Sequence, residues 1–326
     1  DGALVPHKGA VALQPIVIKE WITYMGDASV VKSMEDRGEV DFAYTLDGVG
    51  RFRVNAFYQG RLPGAALRVI PLVPSTFEEL NLPESIRKMS EATRGLVLVT
   101  GATGSGKSTT LTAMVDYINR TRPCHILTIE DPLEFMHTDK KGMVTQREIG
   151  RDTADFTSAL RAAMRQDPDV ILIGELRDAE SVLTAMHAAE TGHLVLSTLH
   201  TVDAGDTVSR IVGLFEPYQA DEIRRQLGHL LQGIVSQRLL PKKGGKGRVP
   251  ACEILVAAEA IRDVIIKGGL PSEIRHLMAK GQSVYGTQTM DQALVELYRT
   301  GTIEKATLYS AASNPNDVKL LLSGIS

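Results

Sequence analysis

A chain of 326 residues is longer than one hydrophobic core comfortably fills, so two domains, or one large and one small, are expected. With 43% hydrophobic and 23% charged residues it has the composition of a globular protein, and a net charge of −3 supplies no overall basic field to recruit nucleic acid or anionic lipid. Cys124 and Cys252 stand far apart with no CxxC pair, which excludes a cysteine zinc knuckle and points to buried thiols. No apolar run approaches the roughly 18 to 20 residues of a membrane span, and no signal peptide is visible, so a cytoplasmic protein is expected.

The opening "DGALVPHKGA" has no Met and reads as the middle of a β segment, so the first domain is expected to be truncated at its start. A helical pattern covers 16–37, followed by the strand-like "EVDFAYTL" and "GRFRVNAFYQG". In the second of these, Arg51, Arg53 and Asn55 alternate with Phe52, Val54 and Ala56, which by itself describes a sheet with one solvated charged face. These residues, 1–72, form the expected first domain. Residues 67–83, with prolines at 71, 74 and 83, lead from a strand through a linker at 73–83 into a short helix.

From about Arg94 the texture becomes β-α. Apolar runs at 96–100, 125–130, 170–174 and 194–199 alternate with amphipathic helices at 107–120, 155–166 and 178–190. Runs this apolar suit a parallel sheet covered on both faces, so 84–326 is expected to be an α/β domain. "DEIRRQLGHLLQGIVSQRLL", 221–240, reads as a long helix or a helix passing into a strand. "PKKGGKGRVP" reads as a hairpin tip, and helices continue from about 258 to the end.

"GATGSGKST", 101–109, fits G-x-x-x-x-G-K-[ST] between a strand and a helix. Its residues Gly101, Thr103, Gly104, Ser105, Gly106, Lys107, Ser108 and Thr109 are expected to cradle the phosphates of ATP. Lys107 would meet the β and γ phosphates, and the Ser108 hydroxyl would hold Mg²⁺. The strand 170–174 ends just before Glu175, which puts that carboxylate on the ligand edge of the sheet, within reach of the Mg²⁺ shell. Beyond strand 125–130 come Glu130, Asp131 and Glu134; Glu134 is the favoured base for the attacking water, and spacing does not settle the three roles. His193 and His200 flank strand 194–199. Seven residues apart, they would face opposite ways about 23 Å from each other, which excludes a shared metal. His200, with Ser197 and Thr198, is expected to approach the γ phosphate, and His193 to join a domain or subunit contact.

Taken together, "GATGSGKSTT", "TIEDPLEF", "RQDPDVILIGELRD" and "ETGHLVLSTLHT" resemble the secretion-type hexameric ATPases, and among them the retraction ATPases of type IV pili (PilT type). "GVGRFRVNAF" and "TQTMDQALVELYRTG" extend the resemblance over nearly the whole chain. It implies a RecA-like P-loop ATPase core, a smaller N-terminal α+β (PAS-like) domain and C-terminal helices. By position, Lys107 and Ser108 match the Walker A residues, Glu134 the catalytic glutamate, Glu175 the Walker B glutamate, and His193 and His200 the His-box pair. Glu130 and Asp131 support the nucleotide site, to which His193 is also assigned. Arginines from the first domain reach the nucleotide in this family, which turns attention to Arg51 and Arg53, with Arg68 and Arg210 as further candidates. A homo-hexamer is implied, docked on an inner-membrane pilus platform protein at the cytoplasmic face, with no nucleic acid partner. The four-cysteine motif of pilus assembly ATPases is missing, which favours retraction. "AIRDVIIKGG" at 260–269 departs from the family's "AIRNLIRE", which leaves open an accessory paralogue (PilU type). A type IV secretion traffic ATPase is the more distant alternative.

Overall fold

The protein is described by a computed structural model over residues 5–70 and 73–324. Contacts divide it into two units, Asp1–Val73 and Pro74–Ser326.

In the first unit the expected helix over 16–37 is two helices, α1 (Pro15–Met25) and α2 (Ala28–Arg37). The break follows from Asp27, whose carboxylate accepts the backbone N–H groups of Ser29 and Val30 and so starts a new helix. Strands β1 (Glu39–Leu46), β2 (Gly50–Gln59) and β3 (Leu62–Ile70) form an antiparallel sheet in the order β1-β2-β3. Ala56 buries against Ile22 of α1 and Met34 of α2, with Phe42 and Ala65 packed beside them. The opposite face carries Arg51 and Arg53, and Arg68 lies directly across from Arg53 in the register. Residues 5–14 contain no strand, contrary to the β segment expected there, and 1–4 lie outside the described residues.

The second unit opens at Pro74, and Phe77 is already buried in its core. Within the expected linker over 73–83 Phe77 alone is fully buried, the others being half-buried or exposed, while Pro71 and Leu72 lie outside the described residues. There follow α3 (Glu84–Ser90), β4 (Gly95–Thr100), α4 (Lys107–Thr121), β5 (His125–Glu130), β6 (Met143–Glu148), α5 (Phe156–Ala163), β7 (Val170–Ile173), α6 (Ala179–Glu190), β8 (Leu194–Leu199) and α7 (Ala204–Val212). The chain continues through α8 (Ala220–Leu230), β9 (Leu231–Pro241), β10 (Arg248–Val256), α9 (Glu259–Ile266), α10 (Pro271–Lys280), α11 (Gln282–Tyr285), α12 (Met290–Arg299), α13 (Lys305–Ala311) and α14 (Pro315–Leu322).

The sheet order is β10-β9-β4-β8-β7-β5-β6, parallel throughout except for β10. Alternation along β4 explains its double cover. Leu96 and Leu98 enter the core with α5 to α8, whereas Val97 and Val99 pack with Leu111, Met114 and Ile118 of α4. The segment 221–240 is helix then strand, changing at Leu230–Leu231. Beyond the hairpin, α12, α13 and α14 close over Leu240, Val249 and Ala251.

Glu253 of β10 ties the C-terminal helices to the sheet. Its carboxylate accepts the Ala204 N–H that starts α7 (2.7 Å) and the Met290 N–H that starts α12 (3.3 Å). Burial pushes this carboxyl up from its ordinary value, with the two N–H groups acting against the shift. Glu253→Ala would strand two buried donors at about 1–3 kcal/mol each. The expected loss of roughly 2–6 kcal/mol is checked by the denaturant midpoint at unchanged slope.

Candidate nucleotide site

The parallel alignment brings the carboxyl ends of β4, β8, β7 and β5 to one edge of the sheet. At the end of β4, the Thr100 hydroxyl meets Ser236 Oγ of β9 at 2.8 Å, which fixes where the following loop begins. The loop turns through positive φ at Gly101 (137°), Gly104 (78°) and Gly106 (97°), conformations that suit glycine. A Cβ on Gly101 would also lie 2.5 Å from the Gln237 carbonyl oxygen, so the position is closed on steric grounds as well.

Helix α4 starts on this loop with no side-chain cap and no acidic residue in its first turn. The starts of α5, α6, α7 and α12 are closed by Asp155, Asp178, Asp203 and Thr289. The first amides of α4 thus remain available to an outside acceptor, aided by the helix dipole. Ser105 adds a buried hydroxyl without a hydrogen-bond partner. Lys107 is buried and its Nζ donates to the carbonyls of Gly101 (2.8 Å) and Ala102 (3.2 Å), closing the loop around its own ammonium. Burial lowers its pKa, and the charge of Glu134 acts the other way, which puts that carboxylate in the same electrostatic neighbourhood. Thr103 and Gly104 are exposed at the loop tip, and Ser108 and Thr109 are half-buried on the first turn of α4.

Glu175, just beyond β7, is ion-paired with Arg177 and lies 3.2 Å from His200 Nε2. His200 follows β8 directly. Burial, then the charges of Lys107 and Arg177, hold its pKa below the ordinary histidine value. Beyond β5, the Glu130 carboxyl is raised by burial and accepts from Thr128 Oγ1 at 2.7 Å, while Asp131 and Glu134 are exposed.

Three expectations change. His193, also assigned to the nucleotide site, is not part of this group, and stands at the opposite end of the strand where its position before 194–199 put it. It precedes β8, beside Gly95 at the far end of the strands, and its Nδ1 lies 2.8 Å from the Ala188 carbonyl oxygen. The Ser197 and Thr198 hydroxyls donate to the carbonyls of Ile173 and Gly174, both at 2.7 Å, so they lace β8 to the end of β7 instead of facing phosphate. Arg210 is exposed in the last turn of α7 and is not among the side chains gathered at the edge. Arg51, Arg53 and Arg68 belong to the first unit.

Sequence reasoning did not single out Arg177, whose signal was its place two residues after Glu175. It also missed a cavity of about 260 Å³ beside Gly106 and Thr109, lined by Leu80, Leu82, Gln237 and Leu239. The cavity joins segments more than 150 residues apart, which no local pattern announces.

A glycine-rich loop between a parallel strand and an uncapped helix, with carboxylates on the same edge, defines a P-loop nucleoside triphosphatase. Residues 72–319 match the family described as "Type II/IV secretion system protein". The chain is 49% identical over 276 residues to a twitching motility protein of Neisseria gonorrhoeae, covering 85% of this chain and 73% of that one. It is 47% identical over 286 residues to the type IV pilus retraction ATPase PilT of Pseudomonas aeruginosa, covering 88% and 82%. The crystal structure of the pilus retraction motor PilT with bound ADP superposes with a TM-score of 0.86 at 46% identity, over 92% of this chain and 85% of that one. The chain belongs to the type II/IV secretion system protein family and is an ATPase.

Gly101→Ala is expected to weaken nucleotide binding severely, checked by titration with a fluorescent ATP analogue. The His200 ring is expected to titrate below the ordinary histidine value in an NMR pH series. Arg177→Ala should move that midpoint up, because removing a nearby cation relieves the penalty on a second positive charge.

Proposed function

We propose that the protein is the motor of type IV pilus retraction, a homo-hexamer that hydrolyses ATP at the cytoplasmic face of the inner membrane against a pilus platform protein. The observation that carries the reading is the open start of α4, set between Lys107 and Glu134, in a chain nearly half identical to retraction ATPases.

In this reading the α4 amides and Lys107 hold the β and γ phosphates, and the nucleobase lies in the cavity beside Thr109. Among the described residues no group of three or more His, Cys, Asp or Glu side chains is arranged to hold a metal alone. That fits Mg²⁺, which keeps waters and shares its shell with phosphates. Ser108 and Glu175 would contribute to that shell, and the ion would neutralise charge developing on the phosphate oxygens. Glu134, exposed beyond β5, takes the proton from the attacking water. Glu130, kept buried and shifted toward its neutral form, supports the loop and is the weaker candidate for base. His200, neutral at pH 7, links Glu175 to the γ phosphate and reports its loss.

Arg51, Arg53 and Arg68 share one sheet face of the first unit. Arg53 and Arg68 lie directly opposite one another, and Asp41, 3.9 Å from Arg53 Nε, partly offsets their like charge. By the family resemblance the three arginines are candidates to neutralise charge on the transferring phosphoryl group.

Steady-state hydrolysis tests the site. Lys107→Ala and Glu134→Ala should each lower kcat by about 100-fold or more, the scale of one electrostatic or acid-base contribution. Wild-type turnover in both sinks the assignment. Deleting the gene should abolish pilus retraction measured with an optical trap, and undiminished force would rule out the motor reading.

A further inference from the structure

The loop that carries Glu134, residues 131–142, contains neither helix nor strand, and its backbone groups must find partners elsewhere. Two amide side chains supply many of them. Gln146 of β6 accepts the His137 N–H through Oε1 at 2.7 Å and donates from Nε2 to the Phe135 carbonyl at 2.9 Å. That pairing, to the C=O of one residue and the N–H two residues later, is what a neighbouring strand residue makes in a parallel ladder. The same Nε2 lies 3.4 Å from Glu130 Oε1, so one amide touches both the loop and the buried carboxylate. On the other side Asn119 of α4, fully buried, accepts the Lys140 N–H at 3.1 Å and donates to the Thr138 carbonyl at 2.8 Å. Its own carbonyl accepts from Lys141 and Gly142.

Glu134 is therefore exposed between two fixed points. Leu133 before it is buried, and Phe135 after it is gripped by Gln146. The helix that ends the loop's travel at Asn119 is the helix that begins with Lys107, so loop and phosphate cradle share one rigid support.

We propose that Gln146 is a positioning residue for hydrolysis: its amide clamps the 135–137 backbone and so sets the Glu134 carboxylate relative to the attacking water. This rests on Glu134 as the base. Because Gln146 approaches the loop and not the phosphate cradle, removing its amide changes turnover and leaves nucleotide affinity alone. Gln146→Met keeps the side-chain length and removes both hydrogen-bonding atoms. Displacement of a reacting group by about 1 Å costs up to roughly 100-fold, so a fall in kcat of about 10- to 100-fold is expected, with KM for ATP and affinity for a fluorescent ATP analogue within about twofold of wild type. Gln146→Asn, which withdraws the amide by one methylene, should give a smaller loss in the same direction and serves if the methionine variant does not fold.

The decisive comparison is the double variant. A residue acting through Glu134 has nothing left to act on once that carboxylate is gone, so Gln146→Met in a Glu134→Ala background should lower kcat no further. A full additional loss there, or a loss confined to nucleotide affinity, overturns the proposal. Wild-type kcat in both Gln146 variants, with Glu134→Ala inactive, overturns the clamp and leaves Glu134 as base. Wild-type kcat in Glu134→Ala removes the base assignment, and the clamp falls with it.

Discussion

What this chain can do with a nucleotide depends on leaving the amide groups at the start of α4 unpaired. Asp155, Asp178 and Asp203 close the starts of α5, α6 and α7 with their own carboxylates, but α4 begins on Gly106 with no such partner. The deficit is held in place by its surroundings. Thr100 is bonded to Ser236, Gly101 is wedged against the Gln237 carbonyl, and Lys107 is turned back onto the loop carbonyls. The backbone donors at the strand end are thereby held in place, while Lys107 must exchange its loop carbonyls for a phosphate when one binds.

Around that concavity the groups are tuned by burial and by one another. Lys107 is lowered by desolvation and supported by Glu134. His200 is kept from charging by burial and by the cations Lys107 and Arg177. Glu130 and Glu134 are only four residues apart yet live in different environments, one buried against Thr128 and Gln146, the other exposed. Two carboxyls with environments this different are suited to different tasks.

The edge of the sheet was legible because each candidate site residue follows a run of apolar residues that ends abruptly: Thr100 before the loop, Ile173 shortly before Glu175, Leu199 before His200. Apolar runs of this kind report burial on two faces, and their ends report where the chain leaves the sheet. The same reasoning overlooked β6. "MVTQRE" lies at the edge of the sheet, is covered less, and so lacks the apolar signature. Gln146 went unnoticed with it. Ser197 and Thr198 were expected to approach phosphate because their strand ends on that edge, but the carbonyls of Ile173 and Gly174 claim them first. His193 and His200 stand at opposite ends of β8, as their spacing implied, and only His200 is at the edge that carries the glycine-rich loop.

By itself the sequence determined the class of chemistry and named candidates for its residues. The phosphate loop is a local device, written in consecutive residues whose backbone conformations and flanking elements are all short-range. Tertiary structure alone decided which side chains share that edge and in what state. The strand order sets Glu175 beside His200, and the loop of Glu134 under the amides of Gln146 and Asn119. Those relations depend on which strands become neighbours across long stretches of chain. That choice is made by the packing of both faces of the sheet, and no local pattern contains it.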